Sequence, residues 1–178
     1  MSFVINAPIV SSPSISLRAV FIVITLFAVG FASNVQAKPE HGKKFKDWTV
    51  VCEDLPTTKE KICNIFQNVT NDKKKVVMQI AVGYPPKSSE AQAIITLPLG
   101  VLLPPGIEFK GGSAEAVRVP FGICVKNGCI AIAKMTDKII KGMKSGTKGS
   151  IKFAAAQKKV IEIPVSLSGF TAAFNSLK

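Results

Sequence analysis

The sequence predicts a mostly β fold: an antiparallel β-sandwich or barrel of about eight to nine strands, with a short helix and a C-terminal helix, stapled by disulfides. Three observations predict it. Short segments alternate apolar and polar residues, turn-forming residues separate these segments, and four cysteines fall in two close pairs. The chain has 178 residues, of which 47% are hydrophobic and 19% are charged. This ordinary globular composition excludes a wholly disordered chain, a collagen and a multi-span membrane protein.

The N-terminus has the pattern of a secretory signal peptide over residues 1–37. Its only charged side chain is Arg18, and residues 19–32 form a run of apolar or weakly polar residues. Such a run is shorter than the roughly 20 residues that a helix needs to cross a bilayer core. Small residues stand where a signal peptidase reads the chain, in Val35-Gln36-Ala37. We therefore expect cleavage after Ala37 and export of a protein that is not integral to the membrane. An uncleaved anchor is the alternative.

The chain after the signal peptide is predicted to contain one domain. Residues 38–46 are polar and are expected to form a flexible segment, and residues 47–178 are expected to form a single β-rich domain. With 22 basic and 11 acidic side chains, residues 38–178 carry a net charge of +11. A chain of this size buries about two thirds of the surface that its unfolded form exposes, so it can support a hydrophobic core.

The predicted strands follow the period-two alternation along the chain. Apolar residues recur at every second position in most of these segments, so one face of each strand is apolar. The predicted strands are Trp48–Cys52, Ile62–Thr70, Val76–Val82, Ala91–Leu97, Glu115–Phe121, Cys129–Met135, Ser150–Ala154 and Val160–Leu167. Turn-rich pieces separate them, and a polar loop from Glu53 to Lys61 joins the first two.

The four cysteines are expected to form two disulfides. An even number of cysteines in an exported chain indicates disulfides rather than metal ligands, and no Cys-X-X-Cys motif indicates a redox enzyme. Cys52 and Cys63 flank the predicted loop, whereas Cys124 and Cys129 flank a segment with the Asn-Gly dipeptide typical of a hairpin turn. We expect the local pairs Cys52–Cys63 and Cys124–Cys129. Crossed pairing stays open, since the two hairpins could be neighbours.

Two segments are predicted as helices. Thr136–Met143 begins with a residue suited to cap a helix N-terminus and has a glycine shortly after its end. Ser168–Leu177 has Ser168 or Thr171 as its expected cap. Its apolar face carries Phe170, Phe174 and Leu177. This stripe predicts a lid over one end of the β core rather than a helix that binds a partner.

The proline-rich apolar stretch from Ile94 to Ile107 has three interpretations. It could insert into a membrane, bind a hydrophobic ligand or belong to the core. Pro98, Pro104 and Pro105 prevent a continuous spanning helix, and two glycines favour turns or bulges. We expect a buried strand, a bend and a second strand.

The sequence contains no recognisable catalytic set. The single histidine, His41, precedes the first predicted strand, and the acidic residues are scattered. The glycine-rich segment 142–149 lacks the spacing of a phosphate-binding loop and follows a helix instead of opening one. The sequence therefore predicts a protein that is not an enzyme and that uses no metal or cofactor.

Clustered lysines are the other functional signal, beside the proline-rich stretch. Their positive field favours anionic partners and speeds encounters with them. Nucleic acid is disfavoured as a partner, because the chain is predicted to be exported and its strands lack interleaved aromatic residues for base stacking. The candidate partners are an anionic envelope polymer, lipopolysaccharide or a host-cell surface, and a merely solvated lysine-rich surface is the alternative. The candidate anion-binding residues are Lys73, Lys74, Lys75, Lys141, Lys144 and Lys148.

A series of motifs runs along the chain from residue 45 to residue 178. They are DWTVVC at 47–52, a strand around Cys63 that ends at Gln67, LPLGVLLPPGI at 97–107, PFGICVKNGCIAIA at 120–133 and SLSGFTAAF at 166–174. In this order, and with both cysteine pairs, they resemble the invasion-associated locus B family of secreted alphaproteobacterial proteins. The resemblance implies a small exported β protein that, in blood-borne intracellular pathogens, is linked to entry into red cells.

Export, the β fold and the resemblance together predict a non-catalytic protein of the periplasm or outer surface of a Gram-negative bacterium. It is expected to assist association with host cells such as erythrocytes, or their invasion. A housekeeping envelope protein that binds a periplasmic partner is the main alternative, and an enzyme of unknown chemistry is the weaker one. The sequence does not predict the oligomeric state.

Overall fold

A computed structural model describes residues 38–56, 58–155 and 159–178. The predicted signal peptide, residues 1–37, lies outside the described residues, and its cleavage stays a prediction. The described residues form two antiparallel sheets and two helices. This confirms the mostly β prediction and selects the sandwich over the closed barrel.

Seven strands form the larger sheet. They are β1 (Lys44–Phe45), β2 (Trp48–Asp54), β3 (Lys61–Thr70), β4 (Val76–Gly83), β5 (Gln92–Leu97), β8 (Phe121–Val125) and β9 (Gly128–Lys134). Their order in the sheet is β1-β2-β3-β4-β5-β9-β8, and every neighbouring pair is antiparallel. The first five strands are joined as successive hairpins, and the β8–β9 hairpin is added beside β5.

Four strands form the smaller sheet, in the order β11-β10-β6-β7. They are β6 (Ile107–Lys110), β7 (Val117–Val119), β10 (Lys148–Ala154) and β11 (Val160–Ser166). On the face opposite the core, Lys152 lies between Glu162 and Glu108, and Glu108 lies opposite Arg118. Lys152 Nζ approaches Glu108 Oε1 to 3.2 Å. Because bases and acids alternate along this row, the row carries no net charge.

One predicted strand, Glu115–Phe121, is divided between the two sheets. Its centre forms β7 of the smaller sheet, and its last residue begins β8 of the larger sheet. Pro120 separates the two strands and has no N–H to donate to a ladder. This division and the two-residue strand β1 raise the number of strands above the predicted eight or nine.

Both disulfides that local pairing predicted are present. Cys52 of β2 lies opposite Cys63 of β3, and their sulfur atoms are 2.05 Å apart. Cys124 of β8 lies opposite Cys129 of β9, with a sulfur–sulfur distance of 2.03 Å. Each bridge therefore joins the two strands of one hairpin, and all four cysteines are used in this way.

The first helix, α1 (Asp137–Ser145), begins as predicted. The hydroxyl oxygen of Thr136 accepts a hydrogen bond from the N–H of Ile139 at 3.4 Å, which satisfies one of the free donors at the helix start. Ile139 and Met143 are buried, so the apolar face of α1 packs against the core.

The second helix, α2 (Phe170–Asn175), differs from the prediction in its cap. Neither Ser168 nor Thr171 caps it, and the helix begins after Gly169, whose φ is +87°. Its packing agrees with the apolar stripe. Phe170 is fully buried and meets Trp48 edge to face, with ring centres 5.3 Å apart.

The core lies between the inner faces of the two sheets and the two helices. In the strands, the buried residues occupy alternate positions, as the period-two pattern predicted. The largest fully buried side chains include Trp48, Ile65, Ile80, Ile95, Phe109, Ile151 and Phe170.

Part of the predicted flexible segment, residues 38–46, is paired in the larger sheet. Phe45 lies opposite Trp48 in the register of β1 and β2. The N–H of Gly42 donates to the carbonyl of Val50 at 2.8 Å, and the N–H of Val50 donates to the carbonyl of Lys43 at 2.9 Å. These bonds extend the edge of the sheet beyond the predicted first strand.

In the stretch from Ile94 to Ile107, the buried residues are Ile95 and Leu97 of β5 and, at the start of β6, Gly106 and Ile107. β5 ends at the buried Leu97, and β6 begins at the buried Ile107. Between them, Leu99 is 61% exposed and Leu103 is 48% exposed. The expectation of a buried segment is therefore wrong for the bend, because the bend lies outside the space between the sheets.

Candidate functional site

The turn between β3 and β4 presents three of the candidate lysines. Lys73, Lys74 and Lys75 are all exposed. The side-chain oxygen of Asn71 accepts hydrogen bonds from the N–H groups of Lys73 and Lys75, at 3.1 and 3.0 Å. These bonds stabilise the turn and keep three positive charges close together at one end of the sheet.

The other three candidate lysines lie on α1 and at the start of β10. Lys141 and Lys148 are exposed. Lys144 is engaged with α2, because its Nζ donates to Asn175 Oδ1 at 2.7 Å and lies 5.4 Å from the ring centre of Phe174. Lys144 therefore helps to dock α1 against α2 and is a weaker candidate for ligand binding than Lys141 or Lys148.

The six candidate lysines are not brought together in one cluster. They belong to three elements, and Lys144 and Lys148 line different surface depressions. None of the six takes part in an ion pair within the described ranges. The ion pairs found there are Lys43–Glu40, Lys134–Glu90 and Lys152–Glu108. The charges of the candidate lysines are therefore not offset by direct contact with a carboxylate.

A polar cleft of about 390 Å³ lies where β3 meets β11. At its base is Gln67, a polar residue that is only 6% exposed. Its amide nitrogen donates to the carbonyl oxygens of Ser166 and Asp47, at 3.1 and 3.3 Å. Its amide oxygen accepts the N–H of Ser166 at 3.1 Å. The side chain thus pairs with β11 as a neighbouring strand would, and it joins the two sheets.

Two more hydrogen bonds complete this connection between the sheets. Trp48 Nε1 donates to the carbonyl of Ser166 at 3.0 Å, and the hydroxyl of Ser166 donates to the carboxylate of Asp47. Lys148 lines the same cleft. Among the described residues, no buried side-chain nitrogen or oxygen is left without a hydrogen-bond partner. The hydrogen bonds of Gln67, Trp48 and Asp47 with Ser166 therefore connect the two sheets, and the exposed Lys148 is the cation that lines the cleft.

Gln67 was not among the predicted site residues, although the alternation in β3 indicated that it faces the core. Ile65, Gln67 and Val69 share one face of the strand, and Ile65 is fully buried. A glutamine on such a face must find partners, because an unsatisfied buried amide costs about 1–3 kcal/mol. Its partner Ser166 is 99 positions away, so the sequence alone could not identify it.

The acidic residues, the histidine and the cysteines of the described ranges are scattered over the fold or paired in disulfides. No group of three or more His, Cys, Asp or Glu residues in this part of the chain is placed to hold a metal ion. His41 Nδ1 accepts a hydrogen bond from the N–H of Cys52 at 3.0 Å, where it continues the pairing along the edge of β2. None of the helices among these residues is long and apolar enough to cross a membrane.

Comparison with known protein families shows to which family this chain is related. The family model for invasion associated locus B proteins matches residues 48–178, which include both disulfides, both helices and all strands except β1. The chain belongs to the invasion-associated locus B family. This confirms the resemblance that the ordered motifs predicted.

Similar proteins come from two other bacteria. Invasion protein B homologues of two strains of Brucella abortus are each 23% identical to this chain over 171 residues, and the matches cover 90% of this chain and 95% of each relative. The crystal structure of invasion associated protein B from Bartonella henselae superposes with a TM-score of 0.68 at 19% identity. That match covers 76% of this chain and 92% of the Bartonella chain, and it supports the fold.

Three of the motifs that carried the resemblance meet at the polar cleft. The segment DWTVVC supplies Asp47 and Trp48, the Cys63 strand supplies Gln67, and SLSGFTAAF supplies Ser166. Three motifs that are far apart in the sequence therefore meet in one set of contacts between the sheets. In this chain, these motif residues connect the two sheets.

Proposed function

We propose that this protein is exported and assists association with host cells by binding anionic surface groups through exposed lysines. Membership of the invasion-associated locus B family supports a role of this type, as do the names of the Brucella and Bartonella proteins. The signal-peptide pattern of residues 1–37 supports export to the periplasm or outer surface. Binding of this kind requires no catalytic group.

The observation that carries the proposal is the group of lysines in the β3–β4 turn. Lys73, Lys74 and Lys75 are exposed, are held together by Asn71 and make no ion pair in the described part of the chain. Charges on a protein surface act over about 8 Å at physiological salt. Lysines that reach the partner surface therefore contribute far more to binding than the overall charge of the chain does.

Replacing Lys73, Lys74 and Lys75 together with glutamine should weaken adsorption to red cells at least tenfold at physiological salt. A lysine close to an anionic membrane surface contributes about 1 kcal/mol, and about 1.4 kcal/mol corresponds to a factor of ten. Adsorption to red cells and to lipopolysaccharide is measured across a salt series. Binding of the natural protein should fall steeply as salt rises, and binding of the variant should fall less steeply.

A matched control variant removes three positive charges elsewhere, by K43Q, K134Q and K152Q together. These lysines already pair with glutamates, so this variant should adsorb nearly as well as the natural protein. Thermal unfolding verifies that all proteins are folded. An equal loss of adsorption in the two variants would mean that the net charge of the protein, and not the position of the turn lysines, determines binding. Binding that is unchanged both by added salt and by the loss of the turn lysines would contradict the proposal.

A further inference from the structure

An apolar groove lies beside the bend that joins β5 to β6. Its volume is about 330 Å³, and we call it the Leu99 groove. Every residue that lines it is apolar or glycine. The larger sheet contributes Val77, the smaller sheet contributes Phe153, Ile161 and Ile163, and the bend contributes Leu99 and Val101. The groove is therefore a place where the core of the sandwich reaches the surface.

Two leucines of the bend are exposed, and one of them, Leu99, lines the groove. Leu99 is 61% exposed and Leu103 is 48% exposed. The backbone of the bend is fixed to the smaller sheet, because the N–H of Leu102 donates to the carbonyl of Ala154 at 2.8 Å and Val101 forms a bridge with Ala155. These contacts fix the backbone of the bend between the two exposed leucines. Exposed apolar side chains around an apolar groove are typical of an interaction surface.

Positive charge flanks the groove on two sides. Lys75 directly precedes β4, whose second residue, Val77, lines the groove. On the other side, the carbonyl of the exposed Lys159 accepts the N–H of Ala155, another lining residue, at 2.8 Å. Lys73 and Lys74 belong to the same exposed turn as Lys75, and Asp72 is the carboxylate of that turn.

We propose that the Leu99 groove docks the protein on an anionic phospholipid bilayer. Leu99 and Leu103 enter the acyl region, the groove receives part of an acyl chain, and the flanking lysines contact lipid phosphates. Apolar surface beside cations matches an amphipathic anion, whereas a polysaccharide offers nothing for the groove and a neutral lipid offers nothing for the lysines. The inference rests on the anionic partner of the proposed function and specifies that partner as a lipid.

The test compares two double variants in vesicle sedimentation. L99S/L103S removes the apolar contacts, and I94S/I132S makes the same kind of change at two exposed residues that lie opposite each other on the outer face of the larger sheet. The protein is purified as the cells process it, so every variant has the same N-terminus. The natural protein and I94S/I132S should bind vesicles of phosphatidylglycerol and phosphatidylcholine. L99S/L103S should bind them at least about tenfold more weakly.

A fluorescent variant gives a second readout that does not depend on weakened binding. The chain has one tryptophan, Trp48, which is fully buried and gives a constant background. The emission of L99W should shift to the blue with vesicles containing phosphatidylglycerol, and it should not shift with phosphatidylcholine alone. The emission of I132W should shift with neither, because this position lies away from the groove.

Four outcomes would overturn the inference. They are unchanged vesicle binding by L99S/L103S, equal binding to neutral vesicles, no emission shift in L99W, or binding to lipopolysaccharide without binding to the phospholipid vesicles. If L99S/L103S binds vesicles normally while the glutamine variant of Lys73, Lys74 and Lys75 no longer adsorbs to red cells, the lipid site is wrong and the proposed function stands. If the glutamine variant adsorbs normally, the proposed function fails.

Discussion

Gly169→Ala is expected to destabilise the protein by about 2–5 kcal/mol. Gly169 has a φ of +87°, where a Cβ atom costs roughly 1–2 kcal/mol. The new Cβ would also overlap the carbonyl oxygen of Phe45, just before the turn between β1 and β2. Relief of that overlap must move α2 away from this turn and disturb the contact between Phe170 and Trp48. Equilibrium urea unfolding measures the loss.

The matched control for this substitution is Gly42→Ala. Gly42 has a similar φ of +82°, and a Cβ there would meet nothing within 4 Å. The free energy of unfolding of Gly42→Ala should therefore fall by only about 1–2 kcal/mol, the conformational cost of a Cβ atom at this φ. The difference between the two variants isolates the steric effect of the close approach at Gly169. Equal losses would show that the approach of Gly169 to Phe45 does not matter for stability.

Gln67→Met is expected to lower the free energy of unfolding by about 2–4 kcal/mol. Methionine keeps the length and the apolar stem of the side chain, so the substitution removes mainly the amide. The N–H of Ser166 then loses its acceptor, and the carbonyls of Ser166 and Asp47 lose a donor. The connection between the two sheets should weaken. Urea unfolding and hydrogen exchange at the N–H of Ser166 measure the two effects.

Gln79→Met provides the control for the buried amide. Gln79 lies on the opposite face of the larger sheet, where its side chain donates one hydrogen bond to Asn68 Oδ1 at 2.9 Å. Water can replace that bond, so the cost should stay within about 0.5 kcal/mol. A Gln67 variant as stable as the Gln79 variant, with unchanged exchange at Ser166, would refute the role of Gln67 in joining the sheets.

The parts of the fold that depend on neighbouring residues were predictable from the sequence. Alternation placed most strands, and the local disulfide pairs followed from two hairpins whose cysteines lie directly opposite each other. Thr136 was predictable as a cap because its partner Ile139 is three residues away. Each of these features is determined within a few residues or within one hairpin, where sequence spacing fixes the geometry.

The features that depend on distant segments could not be predicted. The pairing of β5 with β9, the contact of Gln67 with Ser166 and the approach of Gly169 to Phe45 all join separated parts of the chain. The exposure of Leu99 was missed for the same reason, since composition favours burial but the bend lies outside the space between the sheets.

The candidate site was predicted in part. A polar turn between two strands is normally at the surface, so the exposure of Lys73, Lys74 and Lys75 follows from their position in the sequence. The sequence could not show that Lys144 is engaged with Asn175, because α1 and α2 are separated by two strands along the chain. It also could not show that the strand after the turn lysines contributes Val77 to an apolar groove.

The account requires that the lysines of the β3–β4 turn face a host cell, and labelling of intact bacteria tests this most directly. A membrane-impermeant amine reagent is applied to whole cells, and the labelled peptides are mapped by mass spectrometry. The account predicts modification of Lys73, Lys74 and Lys75 on intact cells and a chain that begins at Lys38. Labelling that appears only after the outer membrane is opened, or a chain that retains residues 1–37, would contradict it.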